Sequence, residues 1–326
     1  MSHFTVLVIG NNWEAQLDPF WELDLSREEL LKDPRAQFRD TTDENLNDYE
    51  TKSAQKVIMP DGVMLNPWDE SFKVRNAKGS KETKIPPELE QRDIPFKELY
   101  STFEMYMQEW EGKDSDENNG RYGYYCNPNA KWDWHSMGGR WSGFFKLKDG
   151  VKPIVGRSGI FNNTPKDSGE GIRSDQALKG DIDFEGMRKQ YVEKQMGYYD
   201  KFHSVVNGRE VPVWNEILES YGKEKIKEAR DLYWDNPVIK DLQAAEFHFD
   251  LEEFLVPRKE FENISYHSAI TTYAILMNGT WYEKGQMGWW GMASNEKDQM
   301  TWSIEFSKLL DSLPDDTLLT IVDCHI

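Results

Sequence analysis

The segment 131–141 concentrates side chains that could do chemistry. Its sequence, Lys-Trp-Asp-Trp-His-Ser-Met-Gly-Gly-Arg-Trp, places a carboxylate, an imidazole and a guanidinium beside a Gly-Gly turn. In an enzyme, His135 could act as a general base oriented by Asp133, with Arg140 as an anion clamp. Because these groups show no diagnostic spacing, the segment is equally compatible with a tight turn whose tryptophans fill the core.

Tryptophan and arginine are also the residue types that dominate protein-protein hot spots. A second Trp/Gly segment, 278–291, is similar to the first, and we predict that both bind a partner. The predicted binding residues in these segments are Trp132, Trp134, Arg140, Trp141, Trp281, Tyr282, Trp289 and Trp290. The enzyme alternative stays open, with Glu283, Asp323 or His325 completing the site.

The tail Asp323-Cys324-His325 resembles a nucleophile beside its base. If the tail is a strand, Cys324 and His325 point to opposite faces and cannot meet. Asp323 and His325 share a face, with His3 nearby if the terminal strands pair. The six histidines form no HxH or HxxxH pair, so we predict neither a metal nor a cofactor.

The first strand ends in Gly10-Asn-Asn-Trp13, which lacks the further glycines of a dinucleotide-binding turn. A phosphate-binding loop with its lysine is also absent from the sequence. A third class of function stays open, in which the protein sequesters a nucleotide or another small ligand and uses tryptophans as stacking plates.

The composition is acidic, with 58 acidic and 39 basic residues and a net charge of −19. Such an excess opposes direct binding to nucleic acid or to anionic membranes and favours a basic partner. Residues 11–120 hold 26 acidic and 14 basic side chains, and we predict that Asp114, Asp116 and Glu117 steer the encounter. Interspersed lysines argue against nucleic-acid mimicry, and acidity for solubility alone stays open.

Only two cysteines occur, Cys126 and Cys324, which is typical of a reducing compartment. The apolar start lacks the basic region of a signal peptide, and no apolar run reaches the eighteen residues of a membrane helix. We therefore expect a cytoplasmic protein of the bacterial host cell.

The pattern predicts an α+β fold with an antiparallel or mixed sheet covered by helices. Apolar strands at 4–9 and 317–325 should pair in one sheet. The two Trp/Gly segments read as hairpins, and both a duplicated ferredoxin-like element and a chance similarity of Trp/Gly-rich turns stay open. Hairpins are predicted at 56–65 and around Asn278-Gly279, helices over 96–110, from 181, over 213–234 and after a cap at Asn295, and a strand over 261–277.

The predicted domain organisation has one discontinuous core and three other segments. The core is 1–10 with 96–150 and 263–326, and 11–95 is an acidic insertion. Residues 151–180 are a loop or linker, and 181–262 are a helical insertion.

Several motifs carry a resemblance to a known family, at 2–10, 132–134, 138–141, 180–187, 287–289 and 311–326. They read SHFTVLVIG, WDW, GGRW, GDIDFEGM, MGW and DSLPDDT…VDCHI. On these motifs, which span the chain, the sequence resembles an uncharacterised family of proteins from tailed phages and bacteria.

The resemblance implies an accessory protein of a phage, a class in which many members counter host defence, and it brings no reaction with it. The chain is also similar in size, and in lacking enzyme motifs, to phage inhibitors of the Gabija defence system. This second similarity implies an inhibitor that binds a host complex, such as a nuclease or ATPase with a basic surface. Self-association stays open.

Overall fold

The computed structural model describes residues 2–75, 79–158, 172–248, 251–287 and 293–326. The chain forms two compact units. The larger unit is Met1–Glu22 with Asn129–Ile326, and the smaller unit is Leu23–Pro128.

The described strands, in chain order, are β1 (His3–Ile9), β2 (Gln37–Asp40), β3 (Ser53–Ile58), β4 (Met64–Leu65), β5 (Lys73–Arg75), β6 (Lys81–Thr83), β7 (Glu90–Pro95), β8 (Gly123–Cys126), β9 (Trp134–Gly139), β10 (Phe145–Lys146), β11 (Arg157–Ser158), β12 (Arg173–Ser174), β13 (Gln176–Leu178), β14 (Ala274–Met277), β15 (Thr280–Glu283), β16 (Gln286–Met287), β17 (Ala293–Ser294) and β18 (Leu318–His325).

The described α-helices are α1 (Trp13–Leu17), α2 (Arg27–Leu30), α3 (Thr42–Thr51), α4 (Phe96–Leu99), α5 (Phe103–Glu109), α6 (Phe184–Val206), α7 (Trp214–Tyr221), α8 (Ile226–Asp235), α9 (Pro237–Ala244), α10 (Arg258–Ser268) and α11 (Gln299–Ser312). Helices and a mixed sheet pack together in the larger unit, which confirms the predicted α+β class. No helix of the described residues is long and apolar enough to cross a membrane.

The two terminal strands lie side by side in the central sheet, as predicted. The order is β11-β9-β18-β1-β14-β15, with β13 also paired to β18. β1 and β18 run antiparallel, from His3 opposite His325 to Ile9 opposite Leu319, and β14 joins β1 in parallel. Six of the seven β1 residues bury apolar or hydroxyl side chains, so this strand needs neighbours on both sides.

The two faces of the sheet bury two different cores. Because side chains alternate along a strand, odd-numbered residues of β1 and β18 face one side and even-numbered residues the other. The first core packs Leu7, Ile9, Leu319 and Ile321 against Met187, Trp302, Phe306 and Leu310 of α6 and α11. The second packs Phe4, Val6, Val8, Val322 and Cys324 against Leu17 and Trp132.

A helical subdomain follows the long helix α6. Its core is formed by Phe202, Val206, Ile239, Leu242 and Phe247. The helix predicted from residue 181 is present. The predicted helix over 213–234 is two helices, α7 and α8, separated at Gly222.

The smaller unit contains short antiparallel pairings around an aromatic core. β2 pairs with β8, β3 lies between β4 and β7, and β5 pairs with β6. The core includes Phe96, Tyr100, Tyr106 and Met107. The hairpin predicted at 56–65 is present, with Val57 opposite Leu65.

The unit boundaries differ from the predicted domains. Residues 96–128 belong with the acidic segment, because β8 pairs with β2 and the 96–107 aromatics pack on β3. Residues 11–22 belong instead to the larger unit, where Leu17 is fully buried in a sheet core. The predicted loop 151–180 contains β11, β12 and β13, all paired in sheets.

Three element predictions are wrong, and in two of them a side-chain cap sets the helix boundary. The predicted helix 96–110 breaks after Leu99, since the Thr102 hydroxyl accepts from Met105 N–H and starts a second helix. Residues 261–268 are helical, and the strand begins only at Ala274. The last long helix is capped by Asp298, which accepts from Thr301 N–H, and not by Asn295.

The two Trp/Gly segments fold differently from each other. The second forms the predicted hairpin of β14 and β15, with Asn278 and Gly279 both at positive φ, as a type I′ turn requires. The first is a single strand, β9, paired with β18. The internal similarity therefore does not correspond to a pair of hairpins.

Candidate functional site

The strand β9 brings the predicted chemical residues to the end of the central sheet. Trp134 lies opposite His325, and Ser136 opposite Asp323. These residues share a face with His3 because His3 lies opposite His325. His135 lies opposite Cys324 and points to the other face.

Two imidazole–carboxylate pairs lie side by side on that face. His3 Nδ1 is 2.8 Å from Asp323 Oδ1, and His325 Nδ1 is 2.6 Å from Asp133 Oδ1. The centroids of the two imidazole rings are 4.9 Å apart, and the ring planes are inclined to each other by 72°. When the carboxylate is ionised it only accepts hydrogen bonds, so Nδ1 must then carry the proton and Nε2 is the other ring nitrogen of each histidine.

The two pairs differ in how deeply their side chains are buried. The side chains of His3 and Asp323 are 4% and 0% exposed, whereas those of His325 and Asp133 are 13% and 37% exposed. A molecule in solution therefore reaches the Asp133–His325 pair more readily. We call Asp133, Trp134, His3, Asp323 and His325 the sheet-end cluster.

The carboxylate of Asp323 also fixes the turn after β9. Its Oδ2 accepts from the backbone N–H of Arg140 at 2.9 Å. Gly139 adopts φ +52°, and a Cβ there would lie 2.3 Å from Asp323 Oδ2. Only a glycine lets the backbone approach the carboxylate so closely.

A second buried carboxylate, Asp175, holds the same turn from the other side. It accepts from Gly143 N–H at 2.5 Å, from Gly156 N–H at 2.7 Å and from the Ser142 hydroxyl at 3.1 Å. Its side chain lies against Gly138, where a Cβ would be 2.2 Å away. No sequence pattern indicated Asp175, because its partners are two backbone N–H groups and a hydroxyl that lie far from it along the chain.

His135 lies between two indoles on the opposite face. Its ring is 4.5 Å from that of Trp132 and 5.5 Å from that of Trp13, edge-on in both cases. Burial lowers the pKa of His135, and Glu14 partly opposes that effect. Its Nδ1 is buried and forms no hydrogen bond within the described structure.

The three residues of the enzyme alternative do not converge. Asp133 pairs with His325, while His135 points to the other face. Arg140 meets Asp323 through its backbone N–H. Glu283 is paired with Lys131 at 2.7 Å.

The C-terminal tail behaves as the strand geometry predicts. Cys324 is fully buried in the second sheet core, away from His325, and burial raises the pKa of its thiol well above the usual value. The thiolate needed for nucleophilic attack is therefore strongly disfavoured. Within the described residues, no group of three or more His, Cys, Asp or Glu side chains could hold a metal ion.

The predicted binding aromatics divide by exposure. Trp134 and Tyr282 are 46% and 45% exposed. Trp132 is buried and donates its indole N–H to Leu17 O, which corrects its prediction as a contact residue. Trp141 and Trp281 are half-buried against the two sheet cores. Trp289 and Trp290 lie outside the described residues.

The three acidic residues predicted to steer a partner also differ in exposure. Asp114 and Glu117 are exposed. Asp116 is buried, pairs with Arg27 at 3.1 Å and accepts from Asn118 N–H, so its prediction as a surface residue is wrong. Its carboxylate organises a turn of the smaller unit.

The chain matches no protein-family model, no curated protein and no solved structure.

Proposed function

We propose that the protein acts by binding another protein, with the sheet-end cluster as part of the contact surface. The observation that carries the proposal is Trp134. It stands on a central-sheet strand with 46% of its surface exposed, beside the partly exposed carboxylate of Asp133. An indole held by a rigid strand loses little entropy on binding and offers a large apolar contact area.

The partner that this surface fits is basic. The charge excess is divided between the units, because the smaller unit has 23 acidic and 15 basic residues, a net −8 of the total −19. Several carboxylates of the smaller unit are already paired with arginines, among them Asp33, Asp40 and Asp116. Acidity on both units therefore favours long-range attraction to a basic partner.

The resemblance to phage proteins supports a particular kind of partner. We propose a host complex that processes nucleic acid or defends against phage, such as a Gabija-type nuclease. Such enzymes hold nucleic acid in basic clefts, and an acidic protein with exposed aromatic anchors is complementary to a surface of that kind.

Affinity purification from phage-infected or host cells tests the proposal when a matched pair of variants is included. Trp134→Ala removes the exposed indole, and Tyr198→Ala removes an equally exposed aromatic side chain from α6. We expect a stoichiometric partner with the wild type and Tyr198→Ala, and little of it with Trp134→Ala. No stoichiometric partner, or equal recovery with both variants, would contradict the proposal.

A second candidate function rests on the paired imidazoles. Two carboxylate-held histidines 4.9 Å apart could supply a general base and a general acid to one substrate. Turnover of chromogenic esters or phosphodiesters that falls at least about a hundredfold in folded His325→Asn, but not in His203→Asn, would support it. Absence of turnover, or equal activity in both variants, would exclude these substrate classes.

A further inference from the structure

A cavity of about 540 Å³ opens in the helical subdomain, in a part of the larger unit that the proposed contact does not use. It lies between α7, α8 and the 3₁₀ helix Leu251–Leu255. Its floor includes the buried side chains of Tyr233 and Leu251, which belong to the subdomain core. The volume is in the range of sites for small organic ligands.

Three aromatic rings line this cavity. Tyr233 contacts Trp214 at 5.6 Å and Trp234 at 5.0 Å between ring centroids, edge-on to both. Trp214 packs partly on the subdomain core, while Trp234 is 38% exposed. Tyr233 therefore holds two indoles in place at the cavity, and indole rings provide flat apolar surfaces for a ring-shaped ligand.

Charges of both signs lie at the same cavity. Arg230 precedes Trp234 by four residues on α8, so the two side chains lie on one helix face. Glu252 lines the cavity from the 3₁₀ helix. Neither Arg230 nor Glu252 forms a hydrogen bond or ion pair with another described residue, so both have free bonding capacity.

This combination restricts the ligand. A hydrocarbon would leave the charged groups without partners, and a bare anion would make no use of the indoles. A ligand with a flat ring, N–H donors on its edge and an anionic group satisfies all three features. We propose that the cavity binds a mononucleotide, with the base stacked on the indoles and the phosphate at Arg230.

The carboxylate sets the expected base preference. Guanine presents two adjacent donors, the ring N1–H and the 2-amino group, which one carboxylate can accept together. Adenine places an acceptor, N1, at the corresponding edge and would face Glu252 unfavourably. The cavity should therefore bind GMP more tightly than AMP.

Isothermal titration calorimetry with GMP, AMP, guanosine and inorganic phosphate tests the proposal on the full chain. We expect saturable one-to-one binding of GMP, weaker binding of AMP and guanosine, and no saturable heat with inorganic phosphate alone. Trp234→Ala should weaken GMP binding at least about tenfold through lost stacking. Arg230→Gln should lower the GMP affinity to that of guanosine, and Glu252→Gln should reduce the preference for GMP over AMP.

Tyr198→Ala, on a different helix, is the matched control and should bind GMP as the wild type does. Circular dichroism and thermal unfolding of each variant would establish that it is folded. Because Arg230 is exposed, Arg230→Gln keeps the test decisive even if Trp234→Ala unfolds. No saturable binding at millimolar GMP, or binding that neither Trp234→Ala nor Arg230→Gln alters, would overturn the proposal. Either result would leave the partner-binding proposal untouched, since that depends on Trp134.

Discussion

Three buried carboxylates, Asp116, Asp175 and Asp323, accept hydrogen bonds from backbone N–H groups of the turns that they organise. A backbone donor cannot turn away, so each carboxylate fixes the loop around it. At the scale of single residues, the acidity of this chain therefore has two roles. Part of it organises turns, and the exposed remainder is available to a partner.

Asp116 and Asp114 provide a direct test of this division. Asp116→Lys would bury a like charge beside Arg27 and remove the acceptor of Asn118 N–H. We expect it to lower the free energy of unfolding by about 3–5 kcal/mol in urea denaturation. The exposed Asp114→Lys should stay within about 0.5 kcal/mol of the wild type. Equal effects of the two substitutions would show that burial does not separate them.

The pH dependence of stability should report the half-buried imidazole of His135. Its pKa is lowered from 6.5 by burial, so the unfolded state takes up a proton that the folded state refuses. The stability from the neutral ring is complete above pH 6.5 and is lost as the pH falls from 6.5 through the folded-state pKa. We therefore expect the wild type to lose stability over that range and His135→Gln to lose less.

His267 should also contribute to the loss of stability at low pH, because burial, and to a smaller extent Arg188, lower its pKa. The free energy of unfolding of the double variant His135→Gln, His267→Gln should accordingly change less with pH than that of either single variant. Denaturant titrations between pH 7.5 and 5.5 would measure it. Parallel slopes for the wild type and the double variant would contradict this account of both rings.

At the scale of elements, the turn after β9 depends on glycine. Gly139 has φ +52° and lies against Asp323. We expect Gly139→Ala to destabilise the protein by at least about 2 kcal/mol, from backbone strain and steric overlap together. Gly197 is the control, because it lies in α6 with open space around it. There, alanine should stabilise by about 0.5–1 kcal/mol.

Thermal and urea unfolding of the two glycine variants would check that the first substitution destabilises the protein and the second stabilises it. The contradictory outcome is a Gly139→Ala protein as stable as the wild type, which would mean that the turn can withdraw from Asp323 at little cost.

Elements with a strong local or apolar signature could be predicted from the sequence. The terminal strands are apolar on both faces, and this pattern predicted a central position in the sheet. Asn278-Gly279 has the backbone freedom that a type I′ turn needs. Helix ends were harder, because the apolar spacing continues across Thr102 while its hydroxyl starts a new helix. The pairs of the sheet-end cluster depend on strand register, and no single segment encodes it.

At the scale of the whole molecule, the net charge of −19 should govern the approach of a partner. Long-range attraction is screened over about 8–10 Å at physiological salt, so added salt should slow association with the captured partner. The dissociation rate should change much less, because short-range contacts determine it. An association rate independent of salt, followed by stopped-flow mixing, would show that the acidity serves only solubility.

The dissociation rate of the captured complex is the most direct test of the central claim that Trp134 anchors a partner. Surface plasmon resonance would compare the wild type with Trp134→Ala and with Tyr198→Ala. We predict that Trp134→Ala speeds dissociation about thirtyfold, equivalent to about 2 kcal/mol, while Tyr198→Ala leaves the rate unchanged. The claim is contradicted if folded Trp134→Ala dissociates at the wild-type rate.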